Sequence, residues 1–163
     1  MQELTLSPGY DEREDMLALF TEYTNMLIES NPGFAGYLQI QNYDAEIADL
    51  RSKYGEPDGR LYIARLDGKA VGCVAMKRHD GENSGELKRL YVRPEYRGRG
   101  YARILAEKIL EDAKGIGYEA VYLDTLPGLD AAKHLYDKLG FAVCEPYNDD
   151  PMGCSIFMCR RFE

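Results

Sequence analysis

The chain contains no tryptophan, two histidines (His79, His134) and four cysteines (Cys73, Cys144, Cys154, Cys159), none of them in a CxxC pair. Zinc sites use closely spaced Cys and His ligands, so no metal is expected and the thiols read as reduced and structural. No apolar window approaches the ~18 residues of a membrane span. The first fifteen residues are acidic and lack the basic-then-apolar order of a signal peptide, which makes the cytoplasm the expected compartment. Basic residues are the minority charge: 20 Lys and Arg against 28 Asp and Glu give −8. That deficit argues against nucleic acid, whose phosphates require a broad basic surface. There is no GKS or GKT tripeptide. A dinucleotide fingerprint starting at Gly98 reaches Gly100 but meets Arg103 at its third glycine position.

What is present is one α+β pattern of 163 residues without linker, repeat or low-complexity tract, a length suited to one domain with a substantial core. Strands are expected at residues 5–8, 61–66, 70–78, 87–92, 120–124, 141–144 and 155–160. Helices are expected at 11–30, 45–53, from about 100 to 114, and at 131–139. Asp67-Gly68-Lys69 reads as a hairpin turn, and Gly115 and Gly117 as helix stops. The expected fold is a mixed, mostly antiparallel twisted sheet of six to seven strands flanked by about four helices. Everything is organised around residues 85–113, a strand followed by a turn and the glycine-bearing start of a long helix. In that helix Ala102, Leu105, Ala106, Ile109, Leu110 and Ala113 form one apolar face.

Residues 86–103 hold six bases (Lys88, Arg89, Arg93, Arg97, Arg99, Arg103) against two acids, a local +4 in an acidic chain. Glycines at a helix N-terminus let backbone N–H groups approach an anion where the helix dipole is positive. The island therefore reads either as a seat for a polyanionic small molecule or as a solvated basic face.

Two motifs carry a resemblance. Arg97-x-x-Gly100-x-Ala102 matches the pyrophosphate-binding signature of the GNAT superfamily of acetyl-CoA-dependent N-acetyltransferases. Leu135-Tyr136-Asp137-Lys138-Leu139-Gly140-Phe141 matches that superfamily's C-terminal helix-to-strand signature, 38 residues further on. The chain resembles this family well over residues 61–157 and in layout before that. The resemblance implies acetyl-CoA as co-substrate, with Arg97, Gly98, Arg99, Gly100, Tyr101 and Ala102 around its pyrophosphate. Leu90, Tyr91 and Val92 would lie on a bulged strand beside the pantetheine arm, and Thr125 and Lys133 would lie further along the cofactor. An amide near Tyr91 or Val92 would polarise the thioester carbonyl.

The family's usual base position falls on Glu86 and its proton donor on Tyr136. A lysine-like amine with a pKa of about 10.4 is neutral in only about one molecule in 10³ at pH 7, so a base or water relay is useful. Each residue also has a plainer role available, Glu86 as an exposed strand-end carboxylate and Tyr136 as an amphipathic core tyrosine. Family members often have Asn where this chain has Leu129, so that pantetheine contact is expected to be missing or replaced. His134 faces away from Tyr136 by helical phase, and Cys73 and Cys144 read as core thiols rather than acyl carriers.

The acceptor side is expected in residues 1–60, with twelve acids and four bases, and in the loop 145–151. That composition suggests a small cationic amine recognised by carboxylates and by Phe34, Tyr37, Tyr43, Tyr147 or Asp149. Two alternatives stay open: a protein acetyltransferase acting on lysine or N-terminal amines, and a non-catalytic acyl-CoA-binding regulatory module. A homodimer through a sheet edge or the last strand is compatible with the sequence.

Overall fold

A computed structural model describes residues 3–30, 32, 43–79, 82–147 and 155–162. Seven strands among these residues form one sheet in the order β1-β2-β3-β4-β5-β7-β6. They are β1 (Leu4–Pro8), β2 (Arg60–Leu66), β3 (Lys69–Arg78), β4 (Ser84–Val92), β5 (Ala120–Thr125), β6 (Ala142–Val143) and β7 (Ile156–Arg161). Every neighbouring pair is antiparallel except β4 with β5. The β2–β3 hairpin turns through Asp67 and Gly68, both with positive φ (50° and 80°), the backbone that a two-residue type I′ turn demands.

Among the described residues, five α-helices flank the sheet: α1 (Arg13–Ser30), α2 (Tyr43–Ala48), α3 (Leu50–Tyr54), α4 (Tyr101–Ile116) and α5 (Asp130–Lys138). The single helix expected at 45–53 is two short ones, divided at Asp49, whose side chain accepts from the Ser52 amide and caps the second. The long helix runs through Gly115 and stops at Gly117, which takes the left-handed backbone (φ 101°) of a C-terminal cap.

The apolar face foreseen for α4 buries Leu105, Ala106, Ile109, Leu110 and Ala113 against one side of the sheet, where α5 adds Tyr136 and Leu139. Met16, Leu19 and Phe20 of α1, with Leu50 and Tyr54 of α3, cover the other side. Each buried Leu or Ile contributes roughly 1.5–3 kcal/mol. With both faces covered, β3 reads as a nearly continuous apolar run, the pattern of a fully buried central strand.

One irregularity shapes the function. Between the pairs Ala75↔Lys88 and Cys73↔Tyr91, β4 holds one residue more than β3, a bulge centred on Arg89 at φ 60°. A left-handed non-glycine residue costs about 1–2 kcal/mol. Here the side chain offsets it: Arg89 is buried and donates from Nε and Nη2 to the two oxygens of Glu46 at 3.3 and 3.2 Å, with its guanidinium over the Phe20 ring. Gly72 on β3 pairs with Val92, just beyond the bulge. A Cβ there would lie 2.6 Å from the Tyr91 carbonyl oxygen, and backbone cannot yield as a side chain tip can. Gly72→Ala is accordingly expected to cost about 1–3 kcal/mol of stability, the scale of overpacking, read as a lowered denaturant midpoint.

Candidate active site

The parallel pairing of β4 with β5 covers only Ser84↔Ala120, Gly85↔Val121 and Glu86↔Tyr122. Beyond Glu86 the bulge carries β4 away, and the two strands diverge around a cavity of about 580 Å³. Among the described residues the edge of β4 that faces β5 has no strand partner from Leu87 onward, and residues 87–92 line the cavity. The helix α4 opens at one end of this cleft. Gly98 and Gly100 take left-handed backbone (φ 79° and 82°), and nothing lies within 4 Å of where their Cβ atoms would be. These glycines are needed for conformation rather than for packing space. Among the described residues no side chain caps α4 at Gly100, and its first-turn amides, which have no intrahelical acceptors, lie at the positive end of the dipole.

Most residues expected around the cofactor line this cavity: Leu90, Tyr91, Val92, Arg97, Gly98, Gly100, Tyr101, Ala102 and Thr125. Arg99 and Lys133 are not among its lining residues. The Arg99 guanidinium stacks on the Tyr96 ring, and Lys133 pairs with Asp137 one helical turn away at 3.2 Å. The basic island is largely committed to internal partners. Arg89 holds Glu46, Arg93 holds Glu22 at 2.9 Å, Arg103 holds Glu107 at 2.6 Å, and Arg97 donates from Nε to the Val92 carbonyl at 2.9 Å. The anion-attracting element of the cleft is therefore its backbone more than its side-chain charge.

Tyr136 projects from α5 to the cavity wall, packed edge-on against Phe141 at 5.7 Å. Burial, with Tyr23 and Asp124 nearby, pushes its phenol well above the usual tyrosine range, so it stays protonated. Glu86 is placed differently from the expectation. The residue is 5% exposed and is not among those lining the cavity; its carboxylate is engaged elsewhere. It accepts from the Tyr147 hydroxyl at 3.0 Å and lies 3.6 Å from Lys88 and 4.0 Å from Lys77. Tyr147, expected at the acceptor, instead roofs Glu86 within a ring cluster formed with His79, Tyr122 and Phe157.

Two carboxylates do line the cavity, Asp130 at the start of α5 and Asp124 on β5, and the charge of Asp124 acts on the Tyr136 phenol. Sequence reasoning passed over Asp124, although an acid near the end of an otherwise buried strand was a usable signal. Leu129 also lines the cavity, where the family's Asn is missing. Tyr23 and Met26 of α1 close it from the other layer.

Several carboxylates of the first sixty residues, where recognition of a cation was expected, have partners within the chain. Asp11 pairs with Arg51, Glu12 and Asp15 with Arg65, Glu22 with Arg93, and Glu46 with Arg89 and Lys53. Phe34, Tyr37 and Asp149, and the side chain of Tyr43, lie outside the described residues. Cys73 is fully buried, donates to the Arg89 carbonyl and has its thiol pushed up to about 12 by burial, which removes it as a nucleophile. Among the described residues no group of His, Cys, Asp and Glu is arranged to hold a metal ion, and no helix is long and apolar enough to cross a membrane.

Residues 14–141 match the family model described as acetyltransferase (GNAT) family. An uncharacterized N-acetyltransferase of Schizosaccharomyces pombe is 41% identical over 122 residues, covering 74% of this chain and 75% of that protein. Human N-acetylaspartate synthetase is 41% identical over 97 residues, 59% of this chain, and the match spans 32% of the human protein's length. Among solved structures, the PaiA N-acetyltransferase of Thermoplasma acidophilum in complex with coenzyme A superposes with a TM-score of 0.73 at 20% identity, over 99% of each chain. A splayed β4–β5 pair, a glycine-opened α4 and a family match over most of the chain converge on one conclusion: this protein belongs to the GNAT family and is an N-acetyltransferase.

Proposed function

We propose that the chain transfers the acetyl group of acetyl-CoA to a primary amine of a small molecule by direct attack in a ternary complex. The observation that carries this is the cleft itself, a cavity lined by β4 beyond its pairing with β5 that ends on the glycine-opened first turn of α4. The amides of residues 98–102 take the pyrophosphate, and the pantetheine arm lies along β4 as a substitute strand. The PaiA relative, solved with coenzyme A, supports the same occupant. The name of the human relative, N-acetylaspartate synthetase, favours a small acceptor over a protein.

In the chemical step the amine nitrogen forms a bond to the thioester carbon while a β4 amide near Tyr91 or Val92 holds the developing oxyanion. Collapse breaks the carbon–sulfur bond, and the departing thiolate takes the Tyr136 hydroxyl proton. Asp124, the cavity-lining carboxylate whose charge acts on the Tyr136 phenol, receives the proton lost by the amine, directly or through a water.

This assignment separates the two carboxylates. Asp124→Asn is expected to lower kcat/KM by ~10²–10⁴-fold, the usual worth of a general base, and Glu86→Gln by less than ~10-fold. The reverse order in steady-state assays would return the base to Glu86. The function as a whole is tested by calorimetric titration with acetyl-CoA and coenzyme A, followed by thiol release across an amine panel. Binding with amine-dependent release is expected. Binding without release from any amine would point instead to a protein acceptor or a regulatory module.

A further inference from the structure

The acceptor end of the cleft carries opposite charges on its two walls, and their placement follows from strand register. Parallel pairing ends at Glu86↔Tyr122. In a strand the next side chain on the same face lies two residues on, which is Lys88 on β4 and Asp124 on β5. Both line the cavity. The strands diverge just there, so the two groups face each other across the opening and Lys88 finds its carboxylate in Glu86, on its own strand.

Lys88 does not hold that carboxylate alone. Glu86 is shared with Lys77 and with the Tyr147 hydroxyl. The neighbouring carboxylate, Glu46, is likewise divided between Lys53 and Arg89. Among the described residues, Lys53, Lys77, Lys88 and Arg89 thus share the carboxylates of Glu46 and Glu86. Lys53 is held below the usual lysine range by burial and by Arg89 and Lys88, so these cations crowd one another. On the β5 side Asp124 supplies a negative charge close enough to act on both the Tyr136 and Tyr147 phenols. The amine must sit near Tyr136 and Asp124, where the thiol leaves and the proton is taken. A group reaching across the cleft from that amine then meets Lys88.

We propose that the acceptor is an amino acid or a similar amino-carboxylate zwitterion, with its ammonium against Asp124 and its carboxylate against Lys88 across the splayed β4–β5 cleft. The inference rests on the acetyl-transfer reading and narrows its acceptor. A wholly cationic acceptor would place a second positive charge against Lys88, and a neutral monoamine would leave that lysine without a partner from the substrate.

The test assays each of several amino acids beside its carboxamide and its decarboxylated amine, following coenzyme A release by the full chain. Amino acids are expected to exceed both analogues in kcat/KM by ~10-fold or more, the value of one charge-assisted contact. Lys88→Met is expected to raise KM for the amino acids by ~10–100-fold and to close the gap to the decarboxylated amines. Lys88→Arg restores the preference in part, and Lys88→Glu shifts it toward diamines. If decarboxylated amines are acetylated by the wild-type protein as well as the amino acids are, the inference is overturned while the acetyltransferase reading stands. This comparison needs no variant, so a misfolded Lys88 mutant does not obscure it. If acetyl-CoA binds and no amine of any class yields thiol, the small-molecule reading falls and takes the inference with it.

Discussion

Tyr136→Phe is expected to lower kcat by ~10²–10⁴-fold while leaving the acetyl-CoA dissociation constant within about twofold. The change removes one oxygen from the cavity wall and preserves the ring, so the edge-on contact with Phe141 survives and α5 stays seated. The lost hydroxyl is the proton source for the departing thiolate. Its pKa, raised by burial, keeps the donor form populated throughout the neutral range. No loss of activity from deprotonation of Tyr136 should therefore appear as pH rises toward the ordinary tyrosine range. Stopped-flow thiol release together with calorimetric binding separates the two effects. Unchanged turnover would remove Tyr136 as the acid, and a parallel loss of binding would make it a packing residue.

The second large effect is on the coenzyme. Gly100→Val is expected to weaken acetyl-CoA binding by ~10²–10⁴-fold, corresponding to two or so charge-assisted hydrogen bonds at ~1.5–3 kcal/mol each. A β-branched residue at φ 82° is forced out of that conformation or strains it by about 1–3 kcal/mol. Either response turns the first-turn amides of α4 away from the phosphate. The open space around the glycine means that the fold itself tolerates the added atoms, so thermal unfolding should shift by only a few degrees in the absence of ligand. Binding that survived within ~10-fold would show that side chains, rather than these amides, hold the anion.

These two positions mark what could be read in the chain before its structure was known. The Arg97–Ala102 segment and Leu135–Phe141 are local: their glycines, helix start and apolar phase lie within a few residues, and local propensity sets them. The same holds for the Asp67-Gly68 turn and the stripe of α4. Glu86 and Tyr147 show where locality ends. Position along β4 suggested a base at Glu86, yet a tyrosine 61 residues later covers its carboxylate, and no spacing in the sequence announces that contact. The basic island read as a polyanion seat because its arginines are neighbours in sequence. Glu22 and Glu46, the partners of Arg93 and Arg89, come from helices more than forty residues away and draw those two charges inward.

The sequence by itself determined the family, the order and type of the elements, the glycine-opened start of α4 and the placement of Tyr136, because each depends on contacts or conformations a few residues apart. Only the tertiary structure decided which carboxylates meet the cavity, how the basic residues of β4 are paired and what faces Lys88. Those outcomes depend on the bulge at Arg89, which is held by a buried ion pair with Glu46, and on a parallel register that stops at Glu86 and Tyr122. Charges paired across the fold cancel or expose one another by distance in space, and that distance exists only once β4 and β5 lie side by side.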